Sequence, residues 1–253
     1  MKSVLKENEW AKEKIETKDL GTQPYITLRR VARYYLDEHY KKNEIKHLLE
    51  IFMLQCNPNV SLVKWSDTIN KAIKYAVKHE AINIDHISIT DKELSLIDTI
   101  YGVRQKRLAF TLLCLAKFGN EVNHNNNGWV NNSNTEIMKI ANIKASFKTS
   151  CKLFKDLKDL GYIEFSKKVD NTAVKVIFAE EGKEVLQISD FRNLGYQYMM
   201  YCGEPCFICE NCGIVERQQP LGFGGRPRKY CKQCSQLVRE KMRHPKVTFY
   251  HIK

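Results

Sequence analysis

No apolar run in this 253-residue chain is long enough to cross a bilayer, and the longest, Leu108–Leu115, falls far short of the roughly 20 residues a spanning helix needs. No signal-peptide pattern opens the chain, because Met1–Leu20 is dominated by charges. The seven histidines are scattered, without metal-ligand spacing to a carboxylate, and neither a nucleophile motif nor paired catalytic carboxylates stand out. The glycine-rich stretch Pro220–Gly225 lacks the Gly-Lys-Ser/Thr ending and the strand-to-helix context of a phosphate loop. These absences argue against a membrane protein, an exported protein and an enzyme.

What is present describes a soluble globular chain of about two domains, with 43% hydrophobic and 28% charged residues. Nine cysteines without an export signal point to a reducing, cytoplasmic compartment, where paired thiols bind metal instead of forming disulfides. The net charge of +12 is unevenly spread. Residues 1–103 carry +1, residues 104–182 carry +5, residues 183–208 carry −1 and residues 209–253 carry +7. A positive field confined to the second half fits a polyanion-binding face, against the blander account of a lysine-rich solvated surface.

The organisation expected is mainly α with small β hairpins. Residues 1–103 read as a helical domain without a legible function. Thr27 and Asn43 stand as helix caps, a further helix runs from about Leu62 to His79, and Thr90-Asp91-Lys92-Glu93 is a capping box. Arg29, Arg30 and Arg33 suit a solvated helix face better than a nucleic-acid contact. Residues 104–182 change character: an apolar helix over Leu108–Phe118, an Asn-rich loop, and a short helix opened by Ser133-Asn134-Thr135-Glu136. A longer helix then runs from Ser146 to Leu160-Gly161, followed by strands over Tyr162–Lys167 and Thr172–Phe178 with Val169-Asp170-Asn171 at the tip. Residues 183–206 read as a helical connector opened by Asp190, in which Gly195 weakens the helical pattern.

Helix, short capped helix, turn, longer helix and hairpin, in that order, resemble a winged helix-turn-helix. The likeness is carried by Ser133, Glu136, Ile137, Ile140, Ala141, Asn142 and Ile143, then Leu157, Leu160, Gly161, Tyr162 and Ile163. It implies that the longer helix enters the major groove and that the hairpin touches phosphates or the minor groove. At 100° per residue, Phe147, Cys151, Phe154 and Leu157 should pack inward, while Lys148, Thr149, Lys152 and Lys155 face out. Lys144 and Ser146 in the turn, with Lys167 and Lys168 at the wing, extend the basic line. No Arg, Asn or Gln lies on the outward face, so bidentate guanine or adenine readout is not evident.

The sharpest signal is Cys209-Glu210-Asn211-Cys212-Gly213 with Cys231-Lys232-Gln233-Cys234, two Cys-x-x-Cys pairs at the spacing of a four-thiolate zinc site. Such an ion is structural, since four thiolates leave no open position for water or substrate. Gly213 suits the positive φ of a knuckle turn. Cys206, three residues before Cys209, is the competing ligand for a shifted site, and Cys202 is a further spare thiol. Redox thiols are the minor alternative, because the βαβ context of a thioredoxin-like pair is missing. A first pair on a knuckle and a second at a helix start resemble a treble-clef finger, with a zinc ribbon as the near alternative. Within residues 207–253, Arg226, Arg228, Lys229, Lys232, Arg239, Lys241 and Arg243 would line a cationic strip.

Module order resembles, loosely, replication or regulatory proteins of phages and other mobile elements. The expectation is therefore a non-enzymatic, sequence- or structure-specific DNA-binding protein acting in replication initiation or transcriptional regulation. RNA stays open as a ligand, and replication or transcription proteins as partners; no membrane partner is expected, and no motif sets an oligomeric state. The alternative is a protein-binding adaptor or inhibitor gripping a polymerase or replication complex without touching DNA.

Overall fold

The computed structural model describes residues 4–167, 173–220 and 226–243. Within these the protein is mainly helical, with small antiparallel sheets. The chain divides into two compact units that meet in sequence at Asp85 and His86. The division precedes the expected boundary at 103, because residues 87–99 pack with the later part of the chain.

The first unit contains α1 (Glu7–Glu16), α2 (Pro24–Asp37), α3 (Lys42–Cys56) and α4 (Leu62–Ala76). Helical spacing puts Leu28, Val31, Ala32, Leu49, Phe52, Met53 and Ile69 in one core, where all are at most 1% exposed. Two starts differ from expectation. Helix α2 begins at Pro24, whose missing N–H costs nothing in a first turn. Thr27 is consequently a buried helical residue, its hydroxyl donating to the Leu20 carbonyl at 2.9 Å. Asn43 likewise lies inside α3, where Glu44 reaches back to the Lys41 N–H at 2.7 Å.

Arg30 and Arg33 do not form a solvated face. Both are buried around the Glu7 carboxylate, with Arg30 Nε at 3.0 Å and Arg33 Nη2 at 2.7 Å. The Ile82 N–H adds a third donor to Glu7 at 3.2 Å. Arg29 stacks its guanidinium 3.1 Å from the Tyr75 ring centroid. Burial lowers the Arg30 guanidinium below its usual range, against the opposing pull of Glu7.

The second unit opens with β1 (Ile87–Thr90), α5 (Asp91–Thr99) and the long α6 (Val103–Val122). The capping box is present: Thr90 Oγ1 accepts from the Glu93 N–H at 3.3 Å, and the Thr90 N–H donates to Glu93 at 2.8 Å. Glu93 is fully buried and neutralised by Lys117 of α6 at 2.8 Å. There follow β2 (Trp129–Val130), α7 (Asn134–Ile140), α8 (Phe147–Asp159), β3 (Ile163–Phe165) and β4 (Val174–Val176). Strands β2, β4 and β3 form one antiparallel sheet in that order. The expected tip Val169–Asn171 lies outside the described residues, as does Lys168.

The expected connector is not a spacer. Strand β5 (Glu184–Ile188) runs antiparallel to β1, with Ile87 opposite Ile188, and so closes the unit's start onto its middle. Helix α9 (Leu194–Tyr201) then packs along α6, Tyr198 meeting Phe110 at 5.2 Å between ring centroids. Asp190 does not open this helix; it accepts from the Arg192 N–H at 2.7 Å and pairs with the Arg192 guanidinium. Last come β6 (Cys206–Ile208), its hairpin partner β7 (Val215–Arg217), and α10 (Lys232–Arg243).

Candidate metal centre and cationic face

Hairpin β6–β7 carries Cys209 and Cys212 in its turn, Cys231 immediately precedes α10, and Cys234 occupies that helix's first turn. The four Sγ atoms lie within 4.8 Å of one another. A tetrahedral ion with metal–sulfur bonds of about 2.3 Å needs sulfur–sulfur edges of about 3.8 Å, and Cys212 and Cys231 stand 3.8 Å apart. The cluster is therefore compatible with a metal site. Cys206 is not in it among the described residues; it sits on β6 opposite Arg217, and Cys202 is exposed.

Donor groups already face three of the sulfurs. The Cys231 N–H points at Cys209 Sγ at 3.3 Å, the Cys234 N–H at Cys231 Sγ at 3.4 Å, and Asn211 Nδ2 reaches Cys234 Sγ at 3.2 Å. Gly213, at φ +71°, supplies the left-handed residue the knuckle requires. Burial opposes ionisation of Cys209, but N–H groups from Cys231, Cys212 and Asn211 outweigh it and hold the thiol down at about 7. Burial pushes Cys212 up to about 12, opposed by the Ile214 N–H and reinforced by the neighbouring sulfurs. Sulfurs this close resist joint ionisation until a divalent cation balances them.

The hairpin is fastened to the turn between α7 and α8 by a chain of asparagines. Asn193 Nδ2 donates to the Val215 carbonyl at 2.9 Å, and Asn193 Oδ1 accepts from Asn142 Nδ2 at 2.8 Å. Asn142 Oδ1 in turn accepts from the Tyr196 N–H at 3.2 Å. Arg192 Nη2 adds a bond to the Cys212 carbonyl at 2.7 Å. Both asparagines are left-handed, at φ +56° for Asn142 and +54° for Asn193, a conformation asparagine tolerates better than most side chains.

Gly195 explains itself here. A Cβ on it would lie 1.9 Å from the Ala141 carbonyl oxygen, so only glycine lets α9 approach the end of α7 this closely. Gly195→Ala is expected to lower stability by about 2–3 kcal/mol, the scale of overpacking against backbone that cannot yield. A thermal melt reads it, and an unchanged Tm would refute the close approach.

The outward surface of α8 is cationic. Lys148, Lys152 and Lys155, with Lys144 in the preceding turn, are exposed and have no ion-pair partner among the described residues. Ser146 caps the helix, its Oγ accepting from the Thr149 N–H at 3.3 Å and meeting Thr149 Oγ1 at 3.0 Å. Both hydroxyls are thus engaged within the cap. The expected inward stripe is corrected at its first half: Phe147 is 85% exposed and Cys151 is exposed, while Leu153, Phe154 and Leu157 are buried. The stripe begins nearly two turns later because α8 meets its core only from Leu153 onward.

Lys167 is exposed. On the four-cysteine side Arg226, Arg228, Lys232, Arg239 and Arg243 are exposed, and Lys229 faces Glu210 at 3.4 Å. The Lys241 side chain and Leu221–Gly225 lie outside the described residues. No helix among the described residues is long and apolar enough to cross a membrane. No family model, curated protein or solved structure matches this chain.

Proposed function

We propose that the protein binds duplex DNA through a winged helix-turn-helix formed by α6, α7, α8 and the β2–β4–β3 sheet, braced by a zinc-loaded treble-clef finger. One observation carries this reading: four exposed lysines without acidic partners among the described residues line α8 and its turn, and that turn is linked through Asn193 to the four-cysteine hairpin. Lysines engaging phosphates from a helix held in a groove give affinity and register, whereas the absence of Arg, Asn and Gln from that face limits bidentate base readout. Four thiolates with N–H donors suit Zn²⁺ in a closed, structural role, holding the finger's fold and offering no reactive position. The reading contains no chemical step. Control of replication or of transcription is the task these properties fit.

The purified protein is expected to hold one zinc per chain and to retard duplex DNA in gels at low salt. The combined substitution Lys148→Ala, Lys152→Ala, Arg226→Ala and Arg228→Ala should abolish that retardation. Every cation that neutralises a phosphate steepens the salt dependence by about 0.9, so these four should supply between about three and four of the unsubstituted protein's slope. Unaltered retardation would refute the assignment.

A second reading is favoured by Phe147, an aromatic ring standing 85% exposed at the start of α8. A ring so placed also suits a partner protein's pocket. In that case a stoichiometric protein survives nuclease treatment during affinity capture, and Phe147→Ala releases it. An RNA ligand would show as tighter binding to RNA than to DNA of the same sequence.

A further inference from the structure

A cleft of about 380 Å³ opens between the N-terminal part of α6, the turn joining α7 to α8, and the four-cysteine module. Its walls include Arg104 and Arg107 from α6, Lys144 from the turn, Arg217 from β7, and Arg228. Against these five cations stands one carboxylate, Glu216. Arg104, Lys144, Arg217 and Arg228 have no ion-pair partner among the described residues.

Arg107 is the fixed member. Its Nε and Nη2 donate to the Ala141 carbonyl at 3.0 and 2.7 Å, and Nη2 also reaches the Asn142 carbonyl. The Tyr196 ring lies 5.4 Å from the guanidinium. Burial lowers Arg107 below its usual range; Tyr196 opposes that, while Arg217 and Arg104 reinforce it by repulsion. Three separated parts of the chain thus bring like charges together at a cost, with too little internal acid to offset it. An anion from outside is the missing counterpart.

We propose that this cleft binds a phosphate monoester dianion, borne by the 5′ end of a nucleic-acid strand lying along α8. The identity of the bearer rests on the DNA-binding reading above; the phosphate chemistry does not. A flat lysine row suits the diesters of a continuous backbone, but a cleft admits a group that projects from an end. Ligand pockets run upward from about 300 Å³, so this one has room for the phosphate with its sugar. Lys144 borders both the cleft and the α8 face, which makes the two surfaces continuous.

The test compares zinc-loaded full-length protein on duplexes identical except for a 5′-phosphate or a 5′-hydroxyl, by fluorescence anisotropy at fixed salt. A preference of at least fivefold for the phosphorylated end is expected. Arg104→Gln with Arg217→Gln should erase the preference and leave 5′-hydroxyl binding within twofold. Both side chains are exposed and make no hydrogen bond among the described residues, so the fold is expected to tolerate the change. In parallel, inorganic phosphate and AMP are titrated while the Arg107 Nε–H resonance is followed. Movement of that resonance without binding to either duplex supports the phosphate site, assigns it to a free nucleotide, and sinks the DNA reading. Equal binding of both duplexes with no response to phosphate or AMP overturns the proposal and leaves the DNA reading standing.

Discussion

Stripping metal with a strong chelator, or introducing Cys231→Ser, is expected to unfold the segment from β6 to α10 outright. Among the described residues its apolar contribution is slight: Cys209, Cys231 and Cys234 are themselves the buried centre, with Cys212, Ile214 and Tyr230 packed around them. A structural zinc contributes about 10–16 kcal/mol of apparent binding free energy, and in so small a module this is the folding free energy. The disruption should travel. Without an ordered β7, Asn193 and Arg192 are parted from the Val215 and Cys212 carbonyls, and the turn before α8 loses part of its support. Hydrogen exchange checks both steps: protection should vanish across residues 206–217 and weaken at Asn142–Lys144. Full protection in metal-free protein would show that the sulfur cluster is not a metal centre.

Glu7→Gln is expected to cost the first unit about 3–5 kcal/mol, the scale for removing one partner of a buried ion pair. The carboxylate is 1% exposed and serves Arg30, Arg33 and the Ile82 N–H together. An amide of the same shape removes the negative charge that both buried guanidinium groups face. Glu9→Gln, two residues on, is the control. Its carboxylate is largely exposed beside Lys6, and surface changes of this kind stay within about 0.5 kcal/mol. Urea unfolding should separate the two variants clearly, and coincident midpoints would remove the buried carboxylate from any role in stability.

Local chemistry was readable wherever a few neighbouring residues decide the outcome. Thr90 with Glu93, Ser133 and Ser146 cap helices as their side chains require, and the Cys-x-x-Cys spacing brings four sulfurs together. What escaped depends on distant partners. Arg30 and Arg33 look like solvent residues until Glu7, in a different helix, turns out to lie between them. Strand β5 has no distinguishing pattern of its own, since only Ile188 is buried on it; pairing with β1, far earlier in the chain, makes it a strand. Phe147 fits the helical period of a buried stripe, yet it stands 85% exposed. Gly195 reads as a flaw in a helix, when it is the point where two backbones meet. The separation between the thiol cluster and α8 was likewise a property of the linear order, not of the folded unit.

The asparagine chain from Asn142 through Asn193 to Val215 has an evolutionary corollary. A chain truncated just ahead of β6 would keep the bond between Asn142 and Asn193 but leave the Asn193 amide without the Val215 carbonyl and the Arg192 guanidinium without that of Cys212. The four-cysteine module is thus unsuited to being swapped in and out as a cassette. A change on either side of these bonds is felt on the other.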